Sequence, residues 1–286
     1  MDSGSTFRQL RKGIESELAA RICVRPPYFA LRSVAWNGRE FSAVASTEFP
    51  PSAREVGPMR AAELGRHGAI AGLCALAMSQ GDSARRYYLA STAHYAGFYS
   101  RASYGAELGF VARVEELSKR TGRATVSATD LVSGETVMEL SVGYIVLSEP
   151  MFERLYRGHR QPTEARARLA SLNTARISPG LRSLAAVPTA PCAGHFDNYP
   201  ALPLAIVLSE LVEISSELIG IPCWVREARV EARDLCWAGQ PARFESLLEG
   251  PSTLGVESGY QCRALSDATV CAEMRLILSP PPKLGS

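Results

Sequence analysis

The stretch that most constrains this chain is residues 194–220, GHFDNYPALPLAIVLSELVEISSELIG. In its second part Leu204, Ile206, Val207, Leu208, Leu211, Val212, Ile214, Leu218 and Ile219 cover most of a helical circumference. That pattern predicts a helix over 204–219 buried on nearly all sides. Pro203 suits its first turn, where a missing N–H costs nothing. The first part, 195–203, is an irregular loop with one histidine, one aspartate and two prolines. A histidine on a proline-stiffened loop at the mouth of a buried helix is held in place. Residues 224–278 then read as strands able to wrap such a helix.

The same order stands in the first half. Residues 30–48 read as a hairpin around Asn37-Gly38, a two-residue turn signal. Phe49-Pro50-Pro51-Ser52 breaks it, and a helix follows over 58–80. Gly65, Gly68 and Gly72 weaken that helix intrinsically but let another backbone come close. Strands are predicted at 86–98, 107–117, 123–130 and 136–147. In the second half a short strand at 183–188 precedes the loop and helix, and strands follow at 225–236, 243–248, 255–264 and 269–278. One helix packed on antiparallel strands, twice in one chain, is an α+β repeat.

The loop motif carries a resemblance. His195, Phe196, Pro200 and Pro203 match H-F-x-x-x-P-x-x-P-G, the signature of hotdog-fold β-hydroxyacyl-thioester dehydratases, with Leu204 where the glycine should be. The resemblance implies a double hotdog: two tandem units, each a long central helix wrapped by an antiparallel sheet. The expected division is a tail over 1–23 (a polar helix or frayed end), hotdog 1 over 24–150, a charged linker over 151–182, hotdog 2 over 183–280 and a tail over 281–286.

The resemblance also implies chemistry. In that family the histidine of one hotdog meets an acid on the helix of the other. Glu210 follows His195 by fifteen positions, and Glu63 follows Glu48 by the same fifteen. Matching the two units therefore pairs His195 with Glu63 in one working cleft, and Glu48 with Glu210 in a second that lacks a histidine. His67, one turn beyond Glu63 on the same face, would position the acid. The expected catalytic residues are His195, Glu63 and His67; Phe196, Tyr199, Pro203 and Leu204 are expected to bind substrate. Removal of a C2 proton suits a histidine base at neutral pH, and a carboxyl kept protonated by an apolar wall could donate to the leaving C3 hydroxyl. The amide opening the central helix could receive the thioester oxygen.

Plainer readings stay open beside these. Glu63 could form a solvated pair with Arg60 or His67. His94 reads as structural, His159 as solvent-exposed, Asp197 as a turn cap, and Cys192 as a nucleophile only if a base stands beside it. Two further functions also stay open: a thioesterase using a carboxylate-activated water, and a non-catalytic acyl-binding partner of a synthase.

Composition sets the outer limits. Lys+Arg 31 against Asp+Glu 29 gives a net charge of +2, so bulk charge does not point to nucleic acid. Seven cysteines without C-x-x-C spacing read as reduced thiols in a cytoplasmic protein. No run is long enough to span a bilayer, so no membrane insertion is expected. No metal spacing and no phosphate loop appear, so no cofactor is expected beyond the phosphopantetheine thioester that carries the substrate. The carrier would be coenzyme A or an acyl carrier protein. Arg154, Arg157, Arg160, Arg166, Arg168 and Arg176 could dock an acidic carrier, or form an ordinary solvated face. A homodimer of double hotdogs is compatible with this plan.

Overall fold

The computed structural model describes residues 13–162, 168–249 and 257–282. Residues 13–21 form helix α1. The first half continues with β1 (Arg32–Trp36), β2 (Glu40–Ala45), α2 (Ala61–Ser79), β3 (Arg86–Gly97), β4 (Leu108–Leu117), β5 (Thr121–Asp130) and β6 (Thr136–Ser148). Helix α3 (Glu149–Tyr156) leads into β7 (Ala175–Ser178) and β8 (Leu181–Leu184). The second half holds β9 (Ala201–Leu202), α4 (Leu204–Ile219), β10 (Trp224–Ala232), β11 (Cys236–Trp237), β12 (Ala242–Glu249), β13 (Ser258–Ser266) and β14 (Thr269–Ser279).

Twelve of these strands form one sheet in the order β1-β2-β4-β5-β6-β3-β10-β14-β13-β12-β8-β7. The two halves join where β3 pairs antiparallel with β10, from Glu227 opposite Ala96 to Glu231 opposite Thr92. Helix α2 packs on β4 and β5, α4 packs on β12 and β13, and the two helices touch. The molecule is a double hotdog.

The glycines of α2 explain how closely the sheet wraps it. A Cβ on Gly68 would lie 2.8 Å from Leu140 Cδ2, and one on Gly72 would lie 2.6 Å from Tyr144 Oη. The Tyr144 hydroxyl donates to the Ala69 carbonyl at 2.7 Å, so the buried phenol is satisfied. Gly65 differs: nothing stands within 4 Å of its would-be Cβ. Helix α2 has no side-chain cap from Arg60; instead Glu55 Oε1 accepts the Ala61 N–H at 2.5 Å. Gly220, at φ 74°, ends α4 and donates its N–H to the Ser216 carbonyl.

Several local expectations shift. The hairpin connection spans 37–39, with Gly38 at φ 89° and Asn37 Oδ1 accepting from the N–H groups of Arg39 and Glu40. The β13–β14 turn uses Asp267 and Ala268 at positive φ, which no glycine announces. Leu18 and Ile22 are each 2% exposed, so that part of the N-terminal segment is docked rather than frayed. The charged connector is also more structured than its composition suggests. Phe152 of α3 is fully buried and stacks on Tyr87 at 3.6 Å, and β7 and β8 extend the sheet. The short strand lies at Leu181–Leu184 rather than 183–188. Helix α4 is less enclosed than its composition suggests, because Leu218 is 37% exposed. The expected start of a strand at Gly255 lies outside the described residues.

Candidate active site

The His195 loop is fastened to the N-terminal segment. Gly194 sits at φ 76°, where a Cβ would fall 2.3 Å from the Arg25 carbonyl oxygen, and its own carbonyl accepts the Arg25 N–H at 2.7 Å. Only glycine fits that approach. The contact brings the Tyr28 ring to 5.0 Å from the His195 ring. On its other side His195 stacks on Phe196 at 3.9 Å, and Phe196 is wedged against Tyr87 and Phe152. The imidazole therefore has little rotational freedom.

Among the described residues its one side-chain hydrogen bond joins Nδ1 to the Ala201 carbonyl at 3.1 Å. Burial pushes the imidazole down to about 4, outweighing the opposing pull of that carbonyl. The ring is thus neutral near pH 7. A carbonyl can only accept, so Nδ1 carries the proton and Nε2 carries the lone pair.

His195 stands on the wall of a cavity of about 140 Å³ between α2 and α4, roofed by β3 and β10. The lining is largely apolar, including Ala62, Ala69, Leu140, Leu208, Val212 and Met274. Of the residues expected to bind substrate, Phe196 and Leu204 line it. Tyr199 and Pro203 do not: Tyr199 packs edge-on against Phe152 in a satellite aromatic cluster, and Pro203 caps α4. Tyr28 lines the cavity and is driven up to about 12 by burial. The α2 face toward the cavity is Ala61, Ala62, Gly65, Arg66, Ala69, Ile70 and Leu73.

Glu63 is not on that face. A helix turns about 100° per residue, so Glu63 and His67 point round toward the unit's own sheet. There His67 meets Phe110 edge-on at 5.9 Å. Glu63 Oε1 accepts the backbone N–H of Glu48 at 2.6 Å and lies 3.7 Å from Arg66 Nη2 and 3.8 Å from His67 Nε2. The expected convergence of His195 and Glu63 therefore fails: Glu63 is turned away from the cavity and makes no hydrogen bond with His195. The assignment of Glu48 and Glu63 to different clefts is also corrected, since both belong to one cluster.

Arg66 organises that cluster. Its Nη2 donates to Glu48 Oε2 and, at 3.2 Å, to His67 Nε2. The guanidinium carbon lies 5.6 Å from the Tyr28 ring centre and 5.7 Å from that of Phe49. Burial, with the Arg66 charge beside it, pushes His67 down to about 4, so it stays neutral. Burial raises Glu48 despite the same arginine. Glu48, Glu63 and His67 bring one possible ligand atom each within 4.8 Å of one another, a grouping a metal could use. Arg66 already bonds two of the three, so the cluster contains its own cation. Arg66 was missed in the sequence. The available signal was an E-x-x-R spacing in a helix otherwise poor in charge.

The other expected residues fall outside the cavity. Glu210 accepts from Thr174 Oγ1 at 2.9 Å and from Arg182 at 3.2 Å, and is not joined to Glu48. Asp197 pairs with Arg85 at 2.5 Å rather than capping a turn. His94 is on the outer sheet face, 3.3 Å from Glu227. His159 is half-buried, stacked on Trp237 at 4.1 Å, not free in solvent. Burial drives the Cys192 thiol up to about 12, the opposite of an activated nucleophile. All seven cysteines are free and buried. Arg154, Arg157, Arg160, Arg168 and Arg176 are exposed, and Arg166 lies outside the described residues.

No protein-family model matches the sequence, and no curated protein does. Solved structures do match. A putative oleoyl thioesterase from Lactobacillus plantarum aligns with TM-score 0.60 at 12% identity over 85% of this chain and 96% of that one. The 12:0-ACP thioesterase from Umbellularia californica gives 0.57 at 12% identity, covering 84% and 94%. A hot dog fold protein of unknown function from Alicyclobacillus acidocaldarius gives 0.51 at 12%, covering 90% and 98%. At such identities the likeness is one of fold.

Proposed function

We propose that this double hotdog acts on acyl groups carried as thioesters on coenzyme A or an acyl carrier protein, and that the reaction is dehydration of a 3-hydroxyacyl thioester. The observation that supports this reading is His195: a neutral imidazole with Nε2 free, fixed on the wall of an apolar cavity between the two central helices. An acyl chain suits the cavity. Nε2 takes the C2 proton, the electron pair forms the C2–C3 double bond, and the C3–O bond breaks. The imidazolium then returns the proton to the departing hydroxyl, which leaves as water. One residue serves as base and then acid, and the step asks for no cofactor. Glu63 and His67 take no step in this scheme; they lie beside Arg66. The exposed arginines of the connector offer an acidic carrier an electrostatic approach.

Hydrolysis is the second reading, because at least four solved structures of like fold are described as thioesterases. Against it, the carboxylate on the cavity wall is Asp234, exposed at the rim. The experiment is turnover of a 3-hydroxyacyl pantetheine thioester. Dehydration gives new absorbance from the conjugated double bond with no thiol released, and His195→Ala lowers the rate by roughly 10²–10⁴-fold. Thiol release from a saturated acyl thioester, undiminished in His195→Ala, would establish hydrolysis instead. Saturable acyl-thioester binding without turnover of either substrate would leave a binding protein.

A further inference from the structure

The cavity contains a second polar feature that the dehydration scheme does not use. Arg66 is a large, fully buried side chain on the cavity wall. Among the described residues, Glu48 and His67 engage its Nη2, while Nη1 and Nε are buried and have no hydrogen-bond partner. Leaving charged donors unpaired in an apolar interior is costly, and a fixed cation of this kind is normally answered by an acceptor. Neighbouring side chains do not supply one: Tyr28 and Phe49 present ring faces to the guanidinium. Arg66 lines the cavity, so an acceptor held there can answer these donors.

The charge already present restricts what that acceptor is. Glu48 bonds Arg66 directly and Glu63 Oε1 lies 3.7 Å from the same nitrogen. Two carboxyl groups share one guanidinium, and a third carboxylate would be repelled by its like. A neutral oxygen has no such penalty. Tyr28 sets the scale of the arrangement, with the His195 ring 5.0 Å away and the Arg66 guanidinium carbon 5.6 Å away. Both polar groups therefore bear on one short segment of any chain threaded between the helices.

We propose that Arg66 is a specificity residue that binds a neutral acyl oxygen, either the thioester carbonyl or an oxygen on C3, and that the cavity selects such acyl groups over free fatty-acid carboxylates. This deepens the acyl-thioester reading and rests on it, but its test needs no turnover. Binding to the full chain is measured by calorimetry with four probes of equal chain length. These are a decanoyl-pantetheine amide, its 3-oxo counterpart, the decyl-pantetheine thioether that lacks both oxygens, and decanoate.

The wild-type protein is expected to bind at least one oxygenated pantetheine probe about 10- to 100-fold more tightly than the thioether, the scale of one hydrogen bond to a charged group. Loss at the thioether alone identifies the C1 carbonyl; a further gain with the 3-oxo probe identifies C3. In Arg66→Met the preference should vanish while thioether binding persists. Arg66→Lys keeps a cation for Glu48 but not the planar fork, and should retain only part of the preference. Equal wild-type affinity for all three pantetheine probes would overturn the proposal even if both variants failed to fold. So would decanoate binding as tightly as the oxygenated probes. No turnover of a 3-hydroxyacyl thioester by the wild-type protein, with the oxygen preference intact, would sink the dehydration scheme and leave this inference standing.

Discussion

His67 offers a direct test of the buried polar cluster. It is wholly buried, and its Nε2 lies 3.2 Å from Arg66 Nη2. A guanidinium can only donate, so Nε2 must accept, and a protonated ring would set N–H against N–H. Burial, assisted by the Arg66 charge and opposed by Glu63, holds the folded imidazole down to about 4. An unfolded histidine titrates near 6.5. Between these values the unfolded chain binds a proton that the folded chain refuses. Stability from this residue is therefore full above pH 6.5 and is lost as pH falls toward 4. Integrated from pH 7 to pH 4.5, the loss is about 2 kcal/mol. His67→Gln keeps an acceptor for Arg66 but cannot titrate. The difference in unfolding free energy between wild type and variant should shrink by about 2 kcal/mol over that pH range. Urea titrations followed by tryptophan fluorescence at several pH values measure it. His195, also held down to about 4, titrates in both proteins and cancels. A difference that stays constant from pH 7 to 4.5 would refute the reasoning.

Other expectations follow from the same geometry. Gly65→Ala, with nothing within 4 Å of the new methyl, should stabilise α2 by about 0.5–1 kcal/mol, whereas Gly72→Ala, 2.6 Å from Tyr144 Oη, should destabilise by about 1–3 kcal/mol in thermal or urea melts. Gly65→Ile should leave the fold intact by circular dichroism but weaken acyl-probe binding at least tenfold, because the side chain enters the cavity that Gly65 lines. Burial raises Glu55 to about 7, so the folded chain keeps a proton that the unfolded chain releases; this carboxyl costs stability as pH rises from 4.5 to 7. Glu55→Gln should therefore gain on wild type across that window, and equal pH profiles would contradict it. Glu210→Gln should leave turnover nearly unchanged, since its bonds run to Thr174 and Arg182 at the far side of α4; a loss comparable to that of His195→Ala would place Glu210 in the chemistry.

The sequence by itself determined the repeat. Apolar periodicity over α2 and α4, breakers at Pro50–Ser52 and Gly81, and alternating strands after each helix are local signals, and each element is fixed mainly by its own residues. The Gly65, Gly68 and Gly72 series announced a close approach to α2, although it could not say that Gly65 faces a cavity while its neighbours face strands. His195 was legible because its proline-rich surroundings restrain it through the chain itself. The partners of Glu63 and Glu210 were not legible. Helical phase separates Glu63 from Ala62 by about 100°, and which of the two faces the cavity depends on how α2 is rotated against β4, β5 and α4. That rotation is set by packing between segments far apart in sequence. The same packing brings Tyr28, anchored through Arg25 and Gly194, between His195 and Arg66. Arg66 itself carried no reading from the sequence. Burial, an engaged Nη2 and an unanswered Nη1 and Nε set it apart, and those arise only when the segments of Tyr28 and of Glu48–Phe49 close around it.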